Sequence, residues 1–162
     1  MARYLWLSLA VLVFDQLTKW WAQAVLAPHE PVAVLPVFNL TLVFNTGAAF
    51  SFLSDAGGWQ PYFFEVLAAG IALALVVRLS RLSPAERLLA TALALVIGGA
   101  LGNLIDRLWL GHVVDFLDFH WAGYHWPAFN LADSAISVGV ALLLWDGFFP
   151  RRRHSEDRST RL

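Results

Sequence analysis

The sequence predicts an all-α integral membrane protein with four transmembrane helices, a small extracytoplasmic β element and an amphipathic outer loop. Three observations predict it. Of 162 residues, 59% are hydrophobic and 14% charged, with a mean hydropathy of +0.61. A soluble domain carries roughly a quarter charged residues, so this chain lacks the charge to coat a water-facing surface. Four apolar stretches, at about 4–26, 60–79, 86–109 and 128–149, each approach the ~20 residues needed to cross a bilayer. Lipid cannot satisfy backbone amides, so such stretches must be regular, and they are too long and too apolar for strands of a membrane barrel. Third, the basic residues are segregated. Arg3 precedes the first stretch; Arg78, Arg81 and Arg87 surround the second connection; Arg151, Arg152, Arg153, Arg158 and Arg161 fill the tail. Residues 27–59 and 110–127 contain no Lys or Arg, so both termini are expected in the cytoplasm and those two connections outside.

The elements follow in order. The first apolar run contains Asp15 and Lys19, and no convincing small-x-small cleavage site follows it, so it reads as a retained helix rather than a signal peptide. Residues 32–44 are rich in Val, Phe, Leu and Thr, with Pro31, Pro36 and a later Gly57-Gly58 break; that composition predicts extended strands on the outer membrane surface. In the third helix Gly98, Gly99 and Gly102 make a small-residue face, with Gly98 and Gly102 in G-x-x-x-G spacing, suited to close helix approach. The third connection holds Phe116, Phe119, Trp121, Tyr124 and Trp126, an amphipathic set suited to the headgroup region. One domain is expected over residues 1–150, followed by a basic, disordered cytoplasmic tail over 151–162. The chain has no Cys, which excludes disulfides, thiolate nucleophiles and Cys-ligated zinc. A net charge of −1 gives no sign of nucleic acid.

This topology sorts the polar residues. Asp15 and Lys19 fall in the outer half of the first helix, Asn103, Asp106 and Arg107 near the outer end of the third, and Asn130 and Asp133 in the first turn of the fourth. Asn45 and Asp115 lie in the outward connections. Ionisable groups at membrane depth are costly and mark function, and independent surface charges have no reason to share one depth. Each also has a plainer reading. Asn130 followed by Asp133 matches an N-cap with an acid at the third helical position; Asp15 and Lys19 fit an i,i+4 ion pair; Arg107 could snorkel to headgroups; Asp118 and Asp146 look interfacial and structural. His112, Asp115 and His120 match no recognised metal site, and no Ser stands out as a partner for a Ser–Lys protease built on Lys19.

The chain resembles the bacterial lipoprotein signal peptidases, the signal peptidase II family, up to about Phe149. The motifs that carry the resemblance come in order: Asp15-Gln16-Leu17-Thr18-Lys19; Asn45-Thr46-Gly47-Ala48-Ala49-Phe50; the run from Gly98 through Asn103-Leu104-Ile105-Asp106-Arg107; Val113-Val114-Asp115-Phe116; and Phe129-Asn130-Leu131-Ala132-Asp133-Ser134. The resemblance implies an aspartic endopeptidase of the bacterial inner membrane with Asp115 and Asp133 as its catalytic dyad. It implies that Asp15, Lys19, Asn45, Gly47, Asn103, Asp106, Arg107 and Asn130 bind substrate or support the site. The implied partners are membrane lipid and a prolipoprotein, cut just before its diacylglyceryl-modified Cys, with the enzyme acting as a monomer and needing no metal or other cofactor.

The chemistry of such a pair follows from electrostatics. Two close carboxylates do not both ionise comfortably and share one proton; the ionised partner takes a proton from attacking water while the protonated one polarises the scissile carbonyl. A transporter using the acids as an ion path is the main alternative, disfavoured because the acids cluster on one side. A structural lipid- or protein-binding module is the other. The intramembrane G-x-G-D protease motif is absent.

Overall fold

The computed structural model describes residues 3–46 and 60–149. In chain order the elements are α1 (Arg3–Val25), β1 (Val32–Leu35), β2 (Phe38–Asn45), α2 (Gln60–Ser80), α3 (Arg87–Leu110), β3 (Val113–Trp121), β4 (Tyr124–His125) and α4 (Leu131–Phe148). Position 47 and the tail 151–162, both singled out above, lie outside the described residues.

The helix α3 is the hub, with α1, α2 and α4 packed on it. Its sequence explains why. Ala90, Ala92, Ala94, Gly98, Gly99 and Gly102 are all buried, and small side chains let neighbouring backbones approach closely. A Cβ at Gly98 would strike the Ser8 carbonyl and Val11 of α1, and one at Gly99 the Ala132 carbonyl and Ile136 of α4. The reverse face of the α3–α4 contact is built alike, since a Cβ on Gly139 would meet Val96 and the Ala92 carbonyl. The helix α4 buries only Ala132, Ala135 and Gly139, one narrow small-residue stripe. The outward faces are apolar, with Trp6, Phe14, Val66, Leu73, Val138 and Trp145 among the exposed large side chains. Two helices, α3 and α4, are long and apolar enough by length and composition to cross a membrane.

One antiparallel sheet in the order β1-β2-β3-β4 sits against the end of α1. Ala22 and Leu26 from the helix end pack with Leu42, Val114 and Phe116 from the sheet in one buried cluster. The β2–β3 register runs from Phe38↔Phe119 to Asn45↔Val113, with a shift between Leu40 and Val43.

Two expectations are corrected here. The third connection is not an amphipathic loop: its first half is β3, because β-branched and aromatic residues there complete the ladder that β2 would otherwise leave open. Phe116 is accordingly buried, whereas Trp121, Tyr124 and Trp126 are exposed. The fourth helix begins at Leu131 rather than at 128. Phe129 is held by β3, accepting from the Leu117 N–H at 2.9 Å and donating to the Leu117 carbonyl at 3.1 Å, so its backbone cannot turn into the helix. The β3–β4 loop is Ala122-Gly123, both at positive φ (49° and 84°), a pairing that suits the twist of a two-residue hairpin.

Candidate active site

The polar residues meet where α1, α3, β3 and the start of α4 converge. Lys19, 2% exposed, donates to the Asp15 Oδ2 at 2.9 Å, the Asp106 Oδ2 at 2.8 Å and the Asn103 Oδ1 at 2.9 Å. A buried ammonium and buried carboxylates are tolerated only when paired and fully hydrogen-bonded, and all three ammonium protons are used. Gln16 adds its Nε2, which donates to Asp106 Oδ1 at 2.9 Å, to the Gly102 carbonyl at 3.2 Å and to Asp15 Oδ2 at 3.3 Å.

Both α1 and α3 thereby reach the next elements. Asp15 Oδ1 accepts the Ala132 backbone N–H at 2.9 Å, and Asp106 Oδ2 accepts the Val114 N–H at 3.1 Å. The start of α4 would otherwise leave its first amides without partners. The Ala132 amide is met by Asp15 across the bundle. The Asp133 amide is met locally by Asn130 Oδ1 at 2.9 Å, while Asp133 Oδ2 accepts the Asn130 N–H at 3.2 Å. This reciprocal arrangement is a capping box with Asp in the place of the usual Glu.

Asn130 also links the two acids. Its Nδ2 donates to Asp115 Oδ1 at 2.7 Å, to Asn103 Oδ1 at 3.2 Å and to the Val114 carbonyl at 3.3 Å. The second oxygen of Asp115 accepts from Asn45 Nδ2 at 2.9 Å, and Asp133 Oδ1 accepts from Asn103 Nδ2 at 2.7 Å. Asp115 is buried and Asp133 partly exposed. Burial pushes the Asp115 carboxyl up to about 6, and the charge of Asp133 adds to that rise against the hydrogen bonds from Asn45 and Asn130.

Of the residues expected at the site, Asp15, Lys19, Asn45, Asn103, Asp106, Asp115, Asn130 and Asp133 thus join one bonded network. Arg107 does not: it is half-buried in the last turn of α3, its side chain has no hydrogen bond or ion pair among the described residues, and its carbonyl accepts the Gly111 N–H that ends the helix. Sequence reasoning passed over Gln16, because adjacent helical positions do not share a face; its long side chain reaches round the helix instead. Asp118, expected to be structural, is so: it is buried and accepts from Asn39 Nδ2 (3.2 Å) and Thr41 Oγ1 (3.0 Å) while pairing with His125 Nδ1 at 2.7 Å. Burial works to raise its carboxyl pKa, but the bonds from His125, Asn39 and Thr41 outweigh burial and hold it below the ordinary range. Three strands are tied together there, because Asn39 and Thr41 lie on β2, Asp118 on β3 and His125 on β4.

The profile of the family described as Signal peptidase (SPase) II matches residues 7–149. A lipoprotein signal peptidase of Shewanella baltica (strain OS155) is 51% identical over 154 residues, covering 95% of this chain and 90% of that protein. One from Acinetobacter baumannii is 52% identical over 155 residues, covering 94% and 88%. Two solved structures of bacterial membrane enzymes, obtained by the in meso method, superpose with TM-scores of 0.83 and 0.78 at 32% and 33% identity. The first covers 93% of this chain and 96% of the solved chain, the second 94% of each. On a profile match and half-identical relatives that both span nearly the whole chain, this protein belongs to the signal peptidase II family of membrane proteases.

Proposed function

We propose that the protein is an aspartic endopeptidase that removes the signal peptide from diacylglyceryl-modified prolipoproteins, cutting before the lipidated Cys with Asp115 and Asp133 as its dyad. The relatives' name, lipoprotein signal peptidase, supports the substrate class. The observation that carries the dyad is Asn130, which donates its side-chain amide to Asp115 at 2.7 Å and its backbone N–H to Asp133 at 3.2 Å. One residue thereby bonds both carboxylates.

The two acids stand in different surroundings, which suits a shared proton. The buried Asp115, with its ionisation disfavoured, is suited to carry the proton and donate to the scissile carbonyl oxygen. The more exposed Asp133 is suited to take a proton from water as its oxygen attacks the carbonyl carbon. That proton then reaches the departing amine nitrogen while Asp115 takes one back from a hydroxyl of the collapsing tetrahedral intermediate, so the dyad returns to its starting charge.

In this reading all four helices cross the bacterial inner membrane with both termini in the cytoplasm. The sheet and the dyad then lie at the outer face, where the modified Cys of a lipid-anchored precursor is presented. The basic residues around 78–87 and beyond 150, against none in 110–127, support that orientation. The test is cleavage of a lipidated precursor by purified Asp115→Asn and Asp133→Asn variants. Each is expected to fold and to lose activity by at least a thousandfold, on the order of removing a central catalytic group. Retained cleavage in either variant would overturn the dyad.

A further inference from the structure

Lys19 lies one amide away from Asp133, through Asn103, and two from Asp115, through Asn103 and Asn130. Two of its protons go to the carboxylates of Asp15 and Asp106. The third goes to the neutral Oδ1 of Asn103 at 2.9 Å. An ammonium can only donate, so it fixes which end of that amide faces it: the Asn103 oxygen turns to Lys19, and the Asn103 Nδ2 must turn to Asp133, which it meets at 2.7 Å. The same oxygen accepts from Asn130 Nδ2 at 3.2 Å, and that nitrogen donates to Asp115 at 2.7 Å. Two of the three amides that hold the dyad, Asn103 and Asn130, are therefore aligned by a single buried cation, the third being Asn45.

We propose that Lys19 is a positioning residue that sets the pH range of the dyad through Asn103 and Asn130, without touching substrate. The proposal rests on the dyad reading above. The charged groups facing this locus are Asp15 from α1, Asp106 from α3, Asp115 from β3 and Asp133 from α4. The Arg107 side chain, on α3, has no hydrogen bond or ion pair among the described residues, and the charge of Lys19 favours the ionised form of Asp115. A positive charge nearby favours the ionised form of a carboxylate. Without it, the dyad takes up its second proton, and loses its base, at higher pH.

The experiment is the pH dependence of kcat/KM for cleavage of a lipidated precursor by the full-length protein in detergent micelles. Wild type is compared with Lys19→Gln, Lys19→Arg and the double variant Lys19→Gln/Asp106→Asn. The double variant keeps the trio of Lys19, Asp15 and Asp106 at its original net charge while removing the cation beside Asn103. In both Gln variants the acid limb is expected to move up by roughly one pH unit, and Lys19→Arg should keep the limb where wild type has it. A lowered rate with an unshifted limb would reduce Lys19 to a structural ion-pair partner and overturn the proposal. Failure of both Gln variants to fold, read from their thermal melting, would overturn it as well, by making Lys19 a folding residue only. Asp115→Asn and Asp133→Asn run in the same assay keep the two failures apart. If they cleave, the dyad reading falls; if they are dead and the limb stays put, only the role of Lys19 falls.

Discussion

The carboxylate of Asp15 accepts the backbone N–H of Ala132 at 2.9 Å, joining positions 117 residues apart. A residue in the middle of the first helix thus caps the last one. The other oxygen of Asp15 holds Lys19 at 2.9 Å, so the start of α4, where Asn130 and Asp133 sit, is located by the charges of α1. Gly102 makes this approach possible, since any side chain there would occupy the place of the Asp15 carboxylate.

That crowding leads to a paired prediction on glycines. Gly102→Ala would push a methyl group against Asp15 Oδ2 and the Ala132 side chain, an overpacking that costs about 1–3 kcal/mol. Cleavage should fall by an order of magnitude or more. Gly70→Ala, on a helix face with nothing near the added carbon, should keep wild-type activity and thermal stability. Equal behaviour of the two variants in activity and melting assays would count against the Asp15–Gly102 contact.

Asn130→Ala removes the N-cap of α4 and a donor to Asp115 together. Loss of a cap costs about 1 kcal/mol, and a buried carboxylate deprived of a partner adds a further penalty of about 1–3 kcal/mol. The melting temperature should drop and cleavage should be nearly abolished, while Asn130→Asp, which preserves the cap oxygen but not the donor, should recover stability better than activity. Parallel melting and single-turnover cleavage measurements would show that split.

The Asp115 carboxyl makes stability depend on pH in a definite direction. Its pKa is about 6 in the folded protein against 3.8 ordinarily, so between those values the folded state binds more protons than the unfolded one. Stability from this group is therefore greatest below about pH 4 and declines as pH rises through 6, by on the order of 3 kcal/mol in total. Thermal melting of wild type and of Asp115→Asn across pH 4–8 should reveal that decline in wild type and its loss in the variant.

Asp118 acts in the opposite sense. Its carboxyl is held below the ordinary 3.8 by His125, Asn39 and Thr41, against the effect of burial. Its stabilising contribution is present above pH 4 and is lost as pH falls through the lowered value. Asp118→Ala would leave three donors on β2 and β4 without their shared acceptor, a loss of about 2 kcal/mol. Hydrogen exchange in β3 and β4 should accelerate in this variant, with the helices less affected.

Hydropathy and the distribution of basic residues were enough to mark the apolar helices, because a segment that lies in lipid must bond its own backbone and exclude charge along its length. The polar residues were legible for the same reason: Asp15, Lys19, Asn103, Asp106 and Asp133 stand out only because their neighbours are apolar. The helix starting at Leu131 and the third connection were misread locally, since β3 depends on a β2 strand some 70 positions away, as the Asn45–Asp115 bond shows, and Phe129 depends in turn on Leu117 of β3. Gln16 was passed over for a related reason: it owes its role to Gly102 and Asp106 on another helix, and periodicity along one helix carries no record of them. Sequence alone determined which residues are too polar for their surroundings. Tertiary structure decided which of them meet, because hydrogen bonds of about 3 Å are set by packed backbones, and here by glycines that let α1, α3 and α4 come close enough for Asp15 to reach Ala132 and for Asn130 to touch both acids.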